Sequence, residues 1–312
     1  FQWRKGRGGY EKFHGAVISH NGSGETRVFR DVCKVGRVLK EWKEIKGAVT
    51  ESKVALVYDW ENFSALAGQV SLKNKKKNFR EMVQEYYGAL LKQYVSVDII
   101  SQNDDFSGYQ LLIAPNLYLF RDETPEKIRR FVEEGGNVIL SVYSGLVNEN
   151  DLAYEGYPPH GLNDVFGIRS EEVDSLCDDE YNTITYRGKS YRVMDYCDLL
   201  QEDGAEPMAF YERDFYKGME AVTRHSYGRG TAYYVAGHME EAFLVEFLSD
   251  IIRKAGITPI LEVPYVSDIM VKERKKNGTR YLFLMNFSME TRTIRVGEHD
   301  HVLDGYGWEI LK

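Results

Sequence analysis

The sequence has 312 residues, 43% hydrophobic and 13% aromatic, which suits about two globular domains with substantial cores. No window approaches the roughly 18–20 uncharged apolar residues of a membrane span and no secretory leader is visible, so no membrane partner is expected. The net charge of −8 is uneven: residues 1–46 hold 11 Lys and Arg against 5 Asp and Glu, interleaved with glycines and apolar residues, while the acidic remainder would repel phosphate, which argues against nucleic acid.

Phe1 to Arg4 reads as the end of a strand, and Gly6, Gly8 and Gly9 permit the φ > 0 backbone of a loop folding back over it. Glu11 and His14 follow, three residues apart. In a helix or tight turn that spacing puts a carboxylate and an imidazole on one face, a combination that binds hydroxyls. Trp3 and Tyr10 add flat apolar faces on which a sugar ring could lie. The same residue types also describe a solvated loop with a local hydrogen bond. Thr26 to Lys46 then repeats Val28, Val32, Val35, Val38, Leu39, Trp42 and Ile45 at helical spacing, ended by Gly47. Glu51 and Ser52 lie in a short polar joint, so a first domain is expected over 1–50.

The string Gln2-Trp3-Arg4, Arg7-Gly8-Gly9, Glu11 and Phe13-His14-Gly15-Ala16, continuing through His20 and Thr26-Arg27-Val28-Phe29-Arg30, closely resembles the segment around the last barrel strand of glycoside hydrolase family 42. These are β-galactosidases with a (β/α)8 catalytic domain. The resemblance implies that Glu11 and His14 line the galactose subsite, with Trp3 and Arg4 as neighbours that position the loop. It makes none of them catalytic. The family's acid/base and nucleophilic glutamates lie in upstream strands without counterpart here, and the chain begins without Met inside what reads as a strand. It is therefore expected to be the C-terminal part of a longer enzyme, missing an N-terminal barrel portion and inactive alone, because retention requires two carboxyl groups about 5–5.5 Å apart. The 26–46 helix would be the final barrel helix, its apolar stripe uncovered unless a partner supplies the rest.

From Lys53 strands and helices alternate. Val54–Tyr58, Val97–Ile100, Leu111–Ala114, Val138–Leu140 and Thr231–Ala236 read as strands, separated by amphipathic helices over Phe79–Tyr94, from Thr124-Pro125-Glu126 to Gly135-Gly136, and Glu241–Ala255. This implies an α/β domain over 51–258 with a doubly wound parallel sheet of flavodoxin-like order. Within it, residues 149–214 form an acidic insertion with 17 acidic and 5 basic side chains, and Thr183–Val193 reads as a hairpin turning at Gly188. Asp178-Asp179-Glu180 reads as a solvated loop; calcium is the weaker alternative, since no D-x-D-x-D-G frame accompanies it. The Lys73–Lys77 run reads as an exposed loop able to hold a neighbouring acidic chain.

Two features tempt a separate enzymatic reading. Ser141-Val142-Tyr143-Ser144-Gly145 follows a strand, and Gly237-His238-Met239-Glu240 resembles the H-x-E element of glutamine amidotransferases. The G-x-[CS]-x-G elbow is absent, since Ser141 holds the first Gly position. Family 42 has a class I glutamine amidotransferase-like domain at this place, inactive and trimer-forming, and Asp59-Trp60-Glu61-Asn62 resembles its element after the first strand. Nucleotide fingerprints are lacking, and Gly228-Arg229-Gly230 is too short for one. Cys33, Cys177 and Cys197 lie far apart, outside any metal-ligand spacing, and read as reduced thiols, which favours the cytoplasm.

After Pro259 the period becomes two: 269–274, a turn at Asn277-Gly278, 280–287, 291–296 and 305–311 give a small antiparallel β domain over 259–312. Tyr306 and Trp308 could bind sugar but fit core or edge positions better. The resemblance implies a retaining hydrolase of terminal non-reducing β-D-galactosides, with a galactoside substrate, a homotrimeric parent and no cofactor or metal within this chain. Two other classes compete: a non-catalytic oligomerisation module, and an amidotransferase-like hydrolase needing a nucleophile near Ser141–Ser144 within reach of His238.

Overall fold

The computed structural model describes residues 2–70 and 79–312. Phe1 and the Lys73–Lys77 run lie outside them. The chain divides into two units, one holding Phe1–Val49, Arg274–Tyr281 and Lys312, the other Thr50–Glu273 and Leu282–Leu311.

In the first unit the expected strand through Arg4 is a single parallel bridge between Arg4 and Ile18. Helix α1 (Arg27–Glu41) starts at Thr26, whose Oγ1 accepts from the Phe29 amide at 3.2 Å. It ends five residues before the expected Lys46: Trp42 leaves helical geometry, a 3-10 turn spans Lys43–Ile45, and Gly47 takes φ 83°. No residue of α1 is buried.

The second unit begins with β1 (Val54–Val57), α2 (Trp60–Gly68), α3 (Phe79–Leu91), β2 (Val97–Ile100), β3 (Leu111–Ala114), α4 (Thr124–Glu133) and β4 (Asn137–Ser141). The insertion holds α5 (Asn163–Phe166), β5 (Ile168–Ser175), β6 (Asn182–Tyr186) and β7 (Lys189–Glu202). Then come β8 (Glu206–Phe210), β9 (Glu220–Tyr227), β10 (Gly230–Val235), β11 (Gly237–Met239) and α6 (Glu241–Lys254). Every residue of β1 and β3 is buried, as strands covered on both faces require. The sheet runs β2-β1-β3-β4-β10, all parallel, and is extended by β9 and β8 antiparallel. β9 escapes the sequence pattern because Thr223, Arg224 and His225 interrupt its apolar run, and β8 because it is only five residues long with Pro207 near its start.

Residues 59–62 do more than close a strand. Asp59 caps α2, its Oδ1 accepting from the amides of Glu61 and Asn62 at 3.1 and 3.0 Å. The expected hairpin joins β6 to β7 through Arg187 and Gly188, with φ of 52° and 79°, the two positive values a type I′ turn demands. The C-terminal segment holds β12 (Ile269–Lys276), β13 (Thr279–Asn286), β14 (Arg292–Val296), β15 (His299–Leu303) and β16 (Trp308–Leu311). Asn277 and Gly278, φ 49° and 78°, make the β12–β13 turn. A separate small core gathers Leu261, Ile269, Val271, Leu282, Leu284, Ile294 and Leu303. No helix among the described residues is long and apolar enough to cross a membrane.

Candidate functional site

Three backbone hydrogen bonds align the two arms of the N-terminal stretch: Val17 to the Gln2 carbonyl (3.4 Å), Ile18 to that of Trp3 (2.8 Å) and Lys5 to that of Ile18 (3.0 Å). Val17 is buried between them. The loop then leaves through Gly6–Gly9, where Gly9 at φ 67° starts a 3-10 turn over Tyr10–Phe13. His14 ends the turn, its amide bonded to the Glu11 carbonyl at 3.0 Å. Thus Glu11 and His14 stand at the two ends of one tight turn, the spacing expected of them.

Both side chains are exposed, and neither has a side-chain hydrogen bond or ion pair among the described residues. One turn thus carries a carboxylate with only acceptor lone pairs and an imidazole that can donate and accept. Trp3, 62% exposed, and Tyr10 and Phe13, almost fully exposed, provide apolar faces in the same stretch. Arg4 is exposed and its Nη2 lies 3.6 Å from where a Cβ on Gly22 would stand. No hydrogen bond joins Trp3 or Arg4 to the Glu11 or His14 side chains among the described residues. Sequence reading gave no separate role to His20, whose Nε2 lies 2.9 Å from the Gly6 carbonyl oxygen. Fourteen residues separate the two, so no local spacing announces the contact.

The serines and the histidine of the middle region belong to separate networks. Ser141 Oγ accepts from the Asn116 amide at 2.9 Å, and Ser144 Oγ donates to the Ser141 carbonyl at 2.6 Å. His238 places Nδ1 on Asp195 Oδ2 and Nε2 on Glu85 Oε2, both at 2.8 Å. Burial alone would lower the His238 pKa, but hydrogen bonds to Asp195 and Glu85, together with their charges, raise it to about 9. An imidazolium with both nitrogens held by carboxylates cannot serve as a general base for either serine. Asp195 and Glu85 lie far from His238 in sequence, which is why its spacing revealed neither.

The Asp179-Glu180 run borders an open hollow of about 290 Å³ with Tyr181, Asn182, Arg213 and Asp214. The Arg213 guanidinium lies 4.5 Å over the Tyr181 ring. No group of metal-ligating residues occurs among the described residues. Tyr306 and Trp308 are exposed, Trp308 on the edge strand β16. Cys33, Cys177 and Cys197 form no disulfide.

Family models cover most of this chain. One described as "Beta-galactosidase" matches residues 1–42, one described as "Beta-galactosidase trimerisation domain" matches 52–258, and one described as "Beta-galactosidase C-terminal domain" matches 268–312. The chain is 38% identical over 294 residues to β-galactosidase GalA of Bacillus licheniformis, covering 94% of this chain and 44% of that protein. It is 39% identical over 307 residues to β-galactosidase Pbg of Clostridium perfringens, covering 96% and 45%. A crystal structure of a β-galactosidase from Bacillus circulans sp. alkalophilus matches with a TM-score of 0.92 at 36% identity, over 99% of this chain and 48% of that one. The chain thus spans less than half the length of the relatives it matches.

Proposed function

Because this chain belongs to glycoside hydrolase family 42, we propose that it is the C-terminal part of a β-galactosidase that hydrolyses terminal non-reducing β-D-galactosides with retention. On this reading the acid/base and nucleophilic carboxylates, about 5–5.5 Å apart in a retaining enzyme, come from barrel strands upstream of these residues. This chain supplies binding groups for galactose. Glu11 accepts hydrogen bonds from sugar hydroxyls, His14 donates to or accepts from a neighbouring one, and Trp3 and Arg4 flank the loop that carries them.

The observation that carries the reading is α1. A 15-residue helix with an apolar stripe and no buried residue, within the stretch matched by the β-galactosidase model, suits a final helix of a (β/α)8 barrel awaiting its strands. The 51–258 region fits a flavodoxin-like, amidotransferase-like assembly domain building a homotrimer: its parallel strands run 2-1-3-4-10, and its serines and His238 are engaged apart from one another. The C-terminal strands fit an accompanying antiparallel β domain over residues 259–312. Thiols outside disulfides suit the cytoplasm.

The test compares hydrolysis of a chromogenic β-galactoside by the 312-residue chain, by the chain extended with its upstream sequence, and by that longer chain carrying Glu11→Ala. Activity in the longer form alone is expected, with Glu11→Ala lowering kcat/KM about 10- to 100-fold through loss of charged hydrogen bonds. Robust turnover by the 312-residue chain would overturn the reading. Inactivity of both forms would favour a non-catalytic oligomerisation module.

A further inference from the structure

We propose that His20 is a positioning residue of the galactose subsite, fixing the start of the loop that presents Glu11 and His14; this rests on the reading of that subsite given above. The backbone bonds that align the two arms stop at Lys5. Beyond it, three of the four residues Gly6–Gly9 are glycines, the residue type with most backbone freedom to lose. A Cβ added to Gly8 or Gly9 would meet nothing within 4 Å, and one on Gly6 only the Gln2 side-chain nitrogen and the Gly8 carbonyl oxygen, each at 3.8 Å, so the three glycines are loosely surrounded. His20 reaches across from the opposite arm, where the Ser19–Gly22 turn, closed by the Gly22 amide on the Ser19 carbonyl at 3.0 Å, holds its backbone. Its Nε2 meets the Gly6 carbonyl oxygen at 2.9 Å.

A carbonyl oxygen can only accept, so Nε2 carries the proton and donates. It does so in both the neutral Nε2–H tautomer and the imidazolium, and the tie therefore survives a change in histidine charge. The bond carries the alignment one residue further and moves the loop's first swivel from Gly6 to Arg7. That matters because a binding group must stand within about 0.5 Å of its productive place to contribute in full.

In the intact enzyme, comprising this chain and its upstream residues, kcat and KM for a chromogenic β-galactoside would be measured across pH for wild type, His20→Ala, His20→Gln and Glu11→Ala. Amide hydrogen exchange over residues 6–14 would be measured alongside. His20→Ala is expected to lower kcat/KM about five- to tenfold, mainly through KM, the scale of one lost hydrogen bond, and to speed exchange in the loop. His20→Gln, which keeps a side-chain N–H donor, should restore both with the wild-type pH profile, which a proton-transferring histidine would not allow. Wild-type KM and exchange in His20→Ala, or a His20→Gln enzyme as impaired as His20→Ala, would overturn the proposal while leaving the subsite standing. Wild-type kinetics in Glu11→Ala would overturn the subsite and the proposal together.

Discussion

The 15 residues of α1 and the 14 of α6 both repeat apolar side chains every three or four positions, yet they are packed in opposite ways. α6 buries Phe243, Leu244, Phe247, Leu248, Ile251 and Ile252, with the Phe243 and Phe247 rings stacked at 5.2 Å and Tyr186 edge-on to both. α1 turns Val28, Val32, Val35 and Leu39 outward, the last 68% exposed. Periodicity decides which residues share a face, whereas burial depends on what lies opposite. A helix of this length is marginal alone in water, and covering what remains exposed of those four side chains would contribute only part of the about 1.5–3 kcal/mol that full burial gives each. On the proposed reading, that stripe is the face the rest of the barrel would cover.

The largest expected effect comes from truncating the buried face. Phe247→Ala should destabilise the 312-residue chain by about 3–5 kcal/mol in urea titration, because it removes transfer free energy and leaves a cavity. Leu39→Ala in the same chain should stay within about 0.5 kcal/mol. Repeating Leu39→Ala in the chain extended by its upstream residues sharpens the contrast: if the proposed barrel covers Leu39, the cost should rise to about 2–5 kcal/mol. A change of that size already present in the 312-residue chain would break the comparison.

The second unit also holds a largely buried charge, the His238 imidazolium between Asp195 and Glu85. Its folded pKa, about 9, stands above the ordinary 6.5, so the stability it contributes is fully present below pH 6.5 and is lost as pH rises through about 9. The difference corresponds to something on the order of 3 kcal/mol. Urea midpoints from pH 6 to pH 10 should fall accordingly in the wild type and flatten in His238→Gln. An equal slope in both would show that Glu85 and Asp195 do not hold the proton.

Much of this was legible because it is local. Uninterrupted apolar runs at 54–57 and 111–114 mark strands covered on both faces, and Asn277-Gly278 marks a turn that needs two positive φ values. The spacing of Glu11 and His14 would put them on one face only if a turn formed there, and a 3-10 turn does span Tyr10–Phe13. The strands β9 and β15 were not legible, because their polar positions erase the alternation on which such reading depends, and β8 is short with a proline near its start. Contacts across long sequence distances were equally hidden: His20 on Gly6, Glu85 on His238, and Asn62, whose side chain bonds the Asn116 carbonyl at 3.0 Å and the Leu119 amide at 2.8 Å. Nothing near those residues in sequence names the partner.

The smallest effect tests whether α1 behaves as a solvated helix in its charges too. Arg27 and Asp31 pair at 2.7 Å, one turn apart and both well exposed. Asp250 on α6 is instead buried, accepting from the Tyr186 hydroxyl at 2.8 Å and from Arg187 and Arg253. In high dielectric an i,i+4 pair contributes only about 0.3–0.5 kcal/mol, and salt screens it. Asp31→Ala should therefore shift the urea midpoint barely at low salt and not at all at 1 M, where the Debye length is about 3 Å. A cost above about 1 kcal/mol that persists in salt would mean that the pair sits in a drier setting than its exposure implies, and that α1 is held by more than its own turns.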